Sequence, residues 1–488
     1  MNMNKKIYGN TVVLIFIFLL SGCSKFTEIT PKGSNVLDRV SDLDLLLNYN
    51  FSLNTAVSIS SPAFVVTAGE AFNCNDAEVL VGDIYPYVTN VATLISLNAK
   101  DLNTALTTYN ENIDRKSLAL ADVKYEKMYF IINNICNVVI RNAEGASGDR
   151  TKANTLKAEA YILRAYMHYL LVNIYAKAYN PATAATDGGI PYVKEDNLIS
   201  EPNKKNTVAE VYADIVSDLD AAFALNSLPS VPANNMRVGL GFAYGVRAQV
   251  FLAMRNYTGA LAAANASLAI NSTIIDDRLF APVGTSPYAK PAVTAADNLF
   301  YASNKGPSTL IAPTFETLAA YEPGNIQNEY VKPYFPVPAQ AVAITGLANA
   351  KLSYSSTIFA VNTAGLTTSD TYLIKAECLA RTQNVPAAMD IINMIRQRRI
   401  HPSIYTPQTA TTEAQAIAYL KKTARFEFLY TFKNYFNIKR WNTEEAYKET
   451  ITRTVNGVTY ILRPESPLYI FPFPQSATAY NPNLTQNY

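Results

Sequence analysis

Apolar residues recur at three- and four-residue steps in three separated stretches, the spacing of helix faces. In 157–170 the positions Ala158, Ile162, Ala165, Tyr166 and Tyr169 fall on one stripe of a long helix. The stretch 125–141 has the same character, and the turn at 145–148 between the two predicts an antiparallel helical hairpin. A second region, 207–225, continues after a Pro- and Asn-containing break into 236–270. There Ala248, Ala253, Ala260 and Ala264 supply small residues for close helix approach, and Asn256-Tyr257 turns the chain. A third region repeats the idea. Lys375-Ala376-Glu377-Cys378-Leu379-Ala380 leads to a turn at Asn384-Val385-Pro386-Ala387-Ala388, read as one residue longer than in the earlier copy, and on through Ile391, Ile392 and Ile395. These pairs look like tetratricopeptide units. Degenerate copies this far apart predict a few helical pairs packed as a scaffold, rather than a regular solenoid with one open groove.

The stretches 52–100, 271–350 and 450–488 lack helical period, and 271–350 is rich in Pro, Gly, Tyr and Thr. The expected fold is therefore mainly α, a tetratricopeptide-like helical-pair scaffold with long irregular loops and little strand. Binding residues usually sit on loops held by a rigid scaffold, so the ligand face is expected there. Residues 1–22 read as a leader, 23–270 as an N-terminal region of helix pairs, and 271–488 as a C-terminal region, loop-rich then helical, packed on the first as one body.

The leader alters the picture most. Lys5 and Lys6 precede an apolar run at 12–20 that is too short to span a bilayer, and Leu20-Ser21-Gly22-Cys23 resembles a bacterial lipobox. Cleavage before Cys23 and lipidation of its thiol are expected. At about 0.8 kcal/mol per buried methylene, several acyl chains hold a protein on a membrane without a transmembrane helix. Removing Lys5 and Lys6 from 41 basic and 39 acidic residues leaves the two signs equal. That balance gives no electrostatic footprint for nucleic acid and disfavours strongly acidic polysaccharides. With Cys23 lipidated, Cys74, Cys136 and Cys378 are too few and odd in number for a disulfide framework. Cys136 and Cys378 lie in apolar runs and read as small buried hydrophobes, whereas Cys74 has polar neighbours.

Catalytic groups are scarce. His168 and His401 are the only histidines, the first within the aromatic helix and the second before a proline. No HExxH, P-loop, GxSxG or Cys-pair motif occurs, and no catalytic residue, metal or cofactor is expected. Asp276-Asp277 and Asp76 with Glu78 are the local candidates for a catalytic carboxylate pair, and each reads as solvated loop acids. Tyrosine, by contrast, numbers 32. An aromatic ring packs against the C–H face of a sugar while polar side chains read its hydroxyls. The lone tryptophan, Trp441, lies in a helical stretch, so stacking would fall to Tyr or Phe. The candidates are Asn73, Asn75, Asp76 and Tyr85 in the early loop, with Tyr288, Tyr301, Tyr321 and Tyr334 in the middle region.

The chain resembles the SusD/RagB family of Bacteroidetes outer-membrane lipoproteins at several places. Thr30-Pro31 leads to Ser41-Asp42-Leu43-Asp44-Leu45-Leu46-Leu47-Asn48, similar to the family's opening segment. Glu159 onward to Tyr175, then Gly188-Gly189-Ile190-Pro191-Tyr192, looks like its long aromatic helix and Gly-Gly-x-Pro loop. Phe471-Pro472-Phe473-Pro474-Gln475 and Asn481-Pro482-Asn483-Leu484-Thr485-Gln486-Asn487 resemble its tail most specifically. The late helix ends in Lys439-Arg440-Trp441 but carries Thr431, Asn434 and Asn437 where the family has an acid, a base and an acid. That departure predicts a neutral hydrogen-bonded network in place of a charged one. The resemblance implies a surface-exposed, non-catalytic lipoprotein of the outer membrane that captures a glycan or peptide and caps a SusC-type TonB-dependent barrel. A lipid-anchored adaptor for protein assembly, suggested by the helix pairs alone, and a surface glycosidase, suggested by the loop acids, are the alternatives.

Overall fold

The computed structural model describes residues 37–52, 69–86, 90–96, 100–198, 200–280, 293–304, 309–331, 338–355 and 361–488. Helix α1 (Val40–Leu47) is followed by the short α2 (Asn75–Leu80) and α3 (Val91–Ser96). The predicted hairpin follows two further short helices, Leu102–Thr108 and Arg115–Leu118. α4 (Val123–Ile131) runs through a π turn (Ile132–Cys136) into α5 (Asn137–Asn142), and α6 (Arg150–Tyr175) returns beside them. Asp149 starts α6 by accepting from the N–H groups of Thr151 and Lys152.

At 26 residues α6 is about 39 Å long. From Ala158 to Tyr175 every side chain except Tyr161 is buried. The single stripe read from the sequence therefore understates this helix, because α1, α4, α5, α7 (Val208–Ala224) and α8 (Leu240–Ala253) all pack on it. Its charges are paired accordingly. Arg164 forks onto Asp218 with both bonds at 2.7 Å, and Glu159 accepts from Arg237 at 2.8 and 3.0 Å. Arg237 in turn donates to Asp44 and Asn48 at 2.9 Å each, which ties the opening segment to the central helix.

The repeated pairs are α8 with α9 (Tyr257–Ile270), then, beyond α10 (Pro338–Thr345), α11 (Thr368–Arg381) with α12 (Val385–Gln397). Their turns are equal in length, against the sequence reading of an extra residue in the second. Arg255 and Gln383 both take positive φ, 61° and 64°, and the following Asn256 and Asn384 cap the next helix. The apparent extra residue belongs to the first turn of α12, where Pro386 is already helical. α9 packs on α11, so the second pair stacks on the first through a core of small residues that includes Ala248, Ala260, Ala264 and Cys378. α13 (Glu413–Glu427) covers α11 and α12, and α14 (Lys433–Trp441) follows.

Strand is sparse, as expected. Among the described residues there are three antiparallel two-stranded ladders: β1 (Asn298–Phe300) with β4 (Leu366–Thr367), β2 (Thr309–Ile311) with β3 (Ser353–Ser355), and the hairpin β5 (Ile451–Val455) to β6 (Val458–Leu462). Asn456 and Gly457 join the hairpin, both at positive φ (52° and 78°), a conformation that suits its twist. The main core is continuous from Val40 to Leu484 and draws residues from both sides of position 270.

Candidate functional site

The early loop, the middle region and the late hairpin converge on one lobe with its own small core. The backbone of 82–85 runs antiparallel to 312–314: Tyr85 N donates to Ala312 O at 2.8 Å, and the Thr314 hydroxyl donates to Gly82 O at 2.6 Å. Tyr85, Val91, Ala312, Ala341, Leu347, Ala350, Leu352 and Val455 fill the interior. Glu316 reaches across to accept from Thr454 N at 2.9 Å, so β5 is fastened to the middle region. Behind the lobe Arg453, which is buried, donates to the carbonyls of Leu106, Thr107 and Val79 and lies 4.9 Å from the Tyr109 ring centre.

The candidate ligand contacts do not gather in one place. Tyr85 is 2% exposed and packs edge-on against Phe315, so its ring fills the lobe and offers no face to a ligand. Tyr301 is buried in the main core. Tyr321 stacks on Phe426 at 4.1 Å and is buried too. In this structure all three tyrosines are packing residues, since each ring is covered by the fold. Asn73, Asn75 and Asp76 are half-buried where α2 begins; Asn73 accepts from Asn75 N at 3.0 Å, and Asp76 pairs with Lys124 at 3.2 Å. Tyr288, Tyr334 and Cys23 lie outside the described residues.

Groups that carry chemistry elsewhere are committed to the scaffold. His168 is fully buried, stacked 3.8 Å from Tyr192, and bonded through both ring nitrogens to backbone. Burial lowers it to about 3. Cys136 and Cys378 are buried, and so is Cys74, whose Sγ lies 3.3 Å from the buried Glu78 carboxylate despite its polar surroundings in sequence. Among the described residues no group of three or more His, Cys, Asp or Glu is arranged to hold a metal ion, and no helix is long and apolar enough to cross a membrane.

The late motif is scaffold as well, but not a neutral one. Asn434 donates to the buried Asp83 carboxylate at 3.1 Å, and Asp83 keeps a cation through Arg425 at 2.6 Å. Thr431 accepts from Lys433 N at 3.1 Å, and Asn437 accepts from Arg440 at 3.2 Å. The expected neutral network is thus mixed, because the Asp83 carboxylate that Asn434 meets is paired with a cation on α13. Arg440 forks onto Glu377 with both bonds at 2.7 Å, and Trp441 Nε1 donates to the same carboxylate at 3.2 Å.

The tail works by side-chain amides bonding backbone. Asn487 donates to Tyr175 O and Gly189 O at 2.8 Å each, Gln486 and Phe473 exchange bonds at 2.8 and 3.0 Å, and Asn481 donates to Asn203 O at 2.9 Å. Gly189 is required by close approach: a Cβ there would lie 2.8 Å from Asn206 O. Beneath the tail lies a cleft of about 540 Å³ with Lys439 at its base. The only sequence hint of a buried Lys439 is its place one helical turn after Tyr435.

The sequence matches a family model described as starch-binding associating with outer membrane over 83–252, and the SusD family model over 366–488. No curated protein matches it. Among solved structures it is similar to a SusD superfamily protein of Bacteroides thetaiotaomicron (16% identity, 92% of this chain and 100% of that one, TM-score 0.66). A putative sugar binding protein of Bacteroides vulgatus (18%, 93% and 99%, 0.64) and a SusD-like carbohydrate binding protein of the same species (18%, 92% and 98%, 0.59) are similar too. At these identities the likeness is one of fold.

Proposed function

We propose, from the premise that the chain belongs to the SusD/RagB family, that it is a non-catalytic nutrient-binding protein of the outer membrane, captures a glycan, and serves as the lid of a SusC-type TonB-dependent barrel. The observation that carries this reading is the pair of family matches, one in each half, on a helical scaffold that aligns over 92% of the chain with a SusD superfamily structure. Two of the similar structures are a putative sugar binding protein and a SusD-like carbohydrate binding protein, which favours a glycan over a peptide.

In this reading Cys23 carries the lipid that keeps the protein beside its barrel, which raises the effective concentration of lid and cargo. The lobe built from the early loop, the middle region and the β5–β6 hairpin presents the ligand. Asn73, Asn75 and Asp76, with Tyr288 and Tyr334, remain proposed ligand contacts. A detergent pull-down from outer membranes tests the role directly. Recovery of a large TonB-dependent barrel is expected; recovery of periplasmic assembly factors in its place overturns the reading and favours an adaptor.

A further inference from the structure

The cleft beneath the tail opens where residues 177–187, α14 and the segment 464–488 meet, and its volume of about 540 Å³ falls within the roughly 300–1,000 Å³ of ligand pockets. Lys439 at its base is 5% exposed. Its Nζ donates to Asn173 O at 2.6 Å and Ala176 O at 2.7 Å, at the C-terminal end of α6, and to the Tyr435 hydroxyl at 3.3 Å. All three described partners are neutral, so none of them offsets the charge of the protonated amine. The third bond is the longest of the three, and the Tyr435 hydroxyl donates its own proton to Tyr469 O at 2.5 Å. An anion that reached Nζ from the cleft would compete with that bond before the two shorter carbonyl bonds.

Of the rest of the lining, Asn180, Thr183, Thr443 and Ser466 supply amide and hydroxyl groups, Pro464 and Tyr488 supply apolar surface, and Lys177, Asp187 and Glu465 carry charge. At the rim Lys177 and Asp187 cancel each other at 2.7 Å, and Glu465 is exposed. A phosphate dianion calls for an arginine fork or several cations, and no arginine lines this cleft. One buried positive charge among amides and hydroxyls fits a ligand with one negative charge and many hydroxyls.

We propose that this cleft is a second binding site that takes a hexuronate sugar, its carboxylate against Lys439 and its hydroxyls on the surrounding amides and hydroxyls. The site is built from other elements than the lobe, and it stands or falls separately from capture there.

The test is ligand-observed NMR titration of the full-length protein in mild detergent with D-galacturonate, D-galactose and acetate. Galacturonate is expected to bind, with galactose and acetate each weaker by about tenfold or more, the worth of a hydrogen bond to a charged group. Galactose binding as tightly as galacturonate, acetate doing the same, or no binding by any of the three overturns the proposal. Lys439→Met is expected to weaken galacturonate about tenfold or more while circular dichroism stays unchanged.

If Lys439→Met does not fold, Glu465→Gln carries the test, because removing an exposed rim carboxylate leaves the fold alone and tightens galacturonate about twofold. The pH gives a third readout. The cleft's other titratable groups are Tyr435, just behind its lining, with Tyr469 and Tyr488, and the rim charges Lys177, Asp187 and Glu465, while Arg115 stands over the Tyr488 ring. Burial lowers the Lys439 ammonium to about 7, so galacturonate binding weakens from about pH 6 to about pH 8.5. An affinity that moves neither with Glu465→Gln nor with pH overturns the assignment.

Discussion

His168 and Glu377 are both fully enclosed and both are lowered, but for different reasons: the imidazole has no counter-charge and stays neutral, whereas the carboxyl has arginines beside it and stays ionised. Val193 N donates to His168 Nε2 at 3.1 Å, so the ring proton resides on Nδ1 and is donated to Arg164 O at 2.9 Å. Burial lowers the imidazole from 6.5 to about 3. The unfolded chain takes up that proton below 6.5 and the folded chain does not until about 3, so stability declines as the pH falls through that window. Nitrogen-15 NMR is expected to show a neutral, Nδ1-protonated His168 from about pH 8 to about pH 5; an imidazolium signal by about pH 5 contradicts it. For Glu377, burial works to raise the carboxyl, but Arg440, then Arg381 and Trp441, outweigh it and lower it from 4.5 to about 2. Its stabilising contribution is complete above 4.5 and disappears as the pH falls through about 2. Glu377→Gln leaves Arg440 buried without its carboxylate. In urea melts the variant is expected to lose roughly 3–5 kcal/mol at neutral pH and to show a flatter decline between about pH 4.5 and about pH 2.

At the scale of elements, what can be read from sequence is what repeats locally. The stripes at 125–141 and 157–170 and the alanines of α8 and α9 reveal helices because a helix face is written every three to four residues. That α6 is enclosed on all sides is not written in its own residues, since its covers come from α1, α7, α8 and the tail. Burial of Tyr85, Tyr301 and Tyr321 escapes sequence reading for the same reason: Phe315, the main core and Phe426 arrive from elsewhere in the chain. The tail motif, by contrast, stands out in the sequence as a run of amide side chains, and in the structure those amides bond backbone. The small-residue seam gives a direct test. Ala264 is fully buried in the cluster where α8, α9 and α11 meet. Ala264→Leu overpacks it and is expected to cost about 1–3 kcal/mol. Ala262→Leu, on the exposed side of the same helix, stays within about 0.5 kcal/mol. Equal melting temperatures for the two variants would mean that the seam is not tightly packed.

The whole molecule is a large scaffold core with a small lobe core set on it, and the two differ in what their opening costs. The scaffold core runs from α1 to the tail, so exposing the middle of α6 requires helices from both halves to separate. The lobe is held by a few side chains from four distant segments and by short backbone pairings such as Tyr85 N to Ala312 O and Thr314 N to Asp83 O. Few buried apolar contacts and short ladders are the marks of a unit that opens below the global unfolding free energy. Native-state hydrogen exchange is therefore expected to separate them. Amides in the middle of α6 exchange only through global unfolding, whereas the Tyr85 amide exchanges through a smaller opening with a weaker dependence on denaturant. A Tyr85 amide as protected as those of α6 would make the lobe part of the scaffold. Under the proposed reading, in which the lobe presents the ligand, a lobe that opens alone would let that face rearrange around cargo while the helical pairs stay folded.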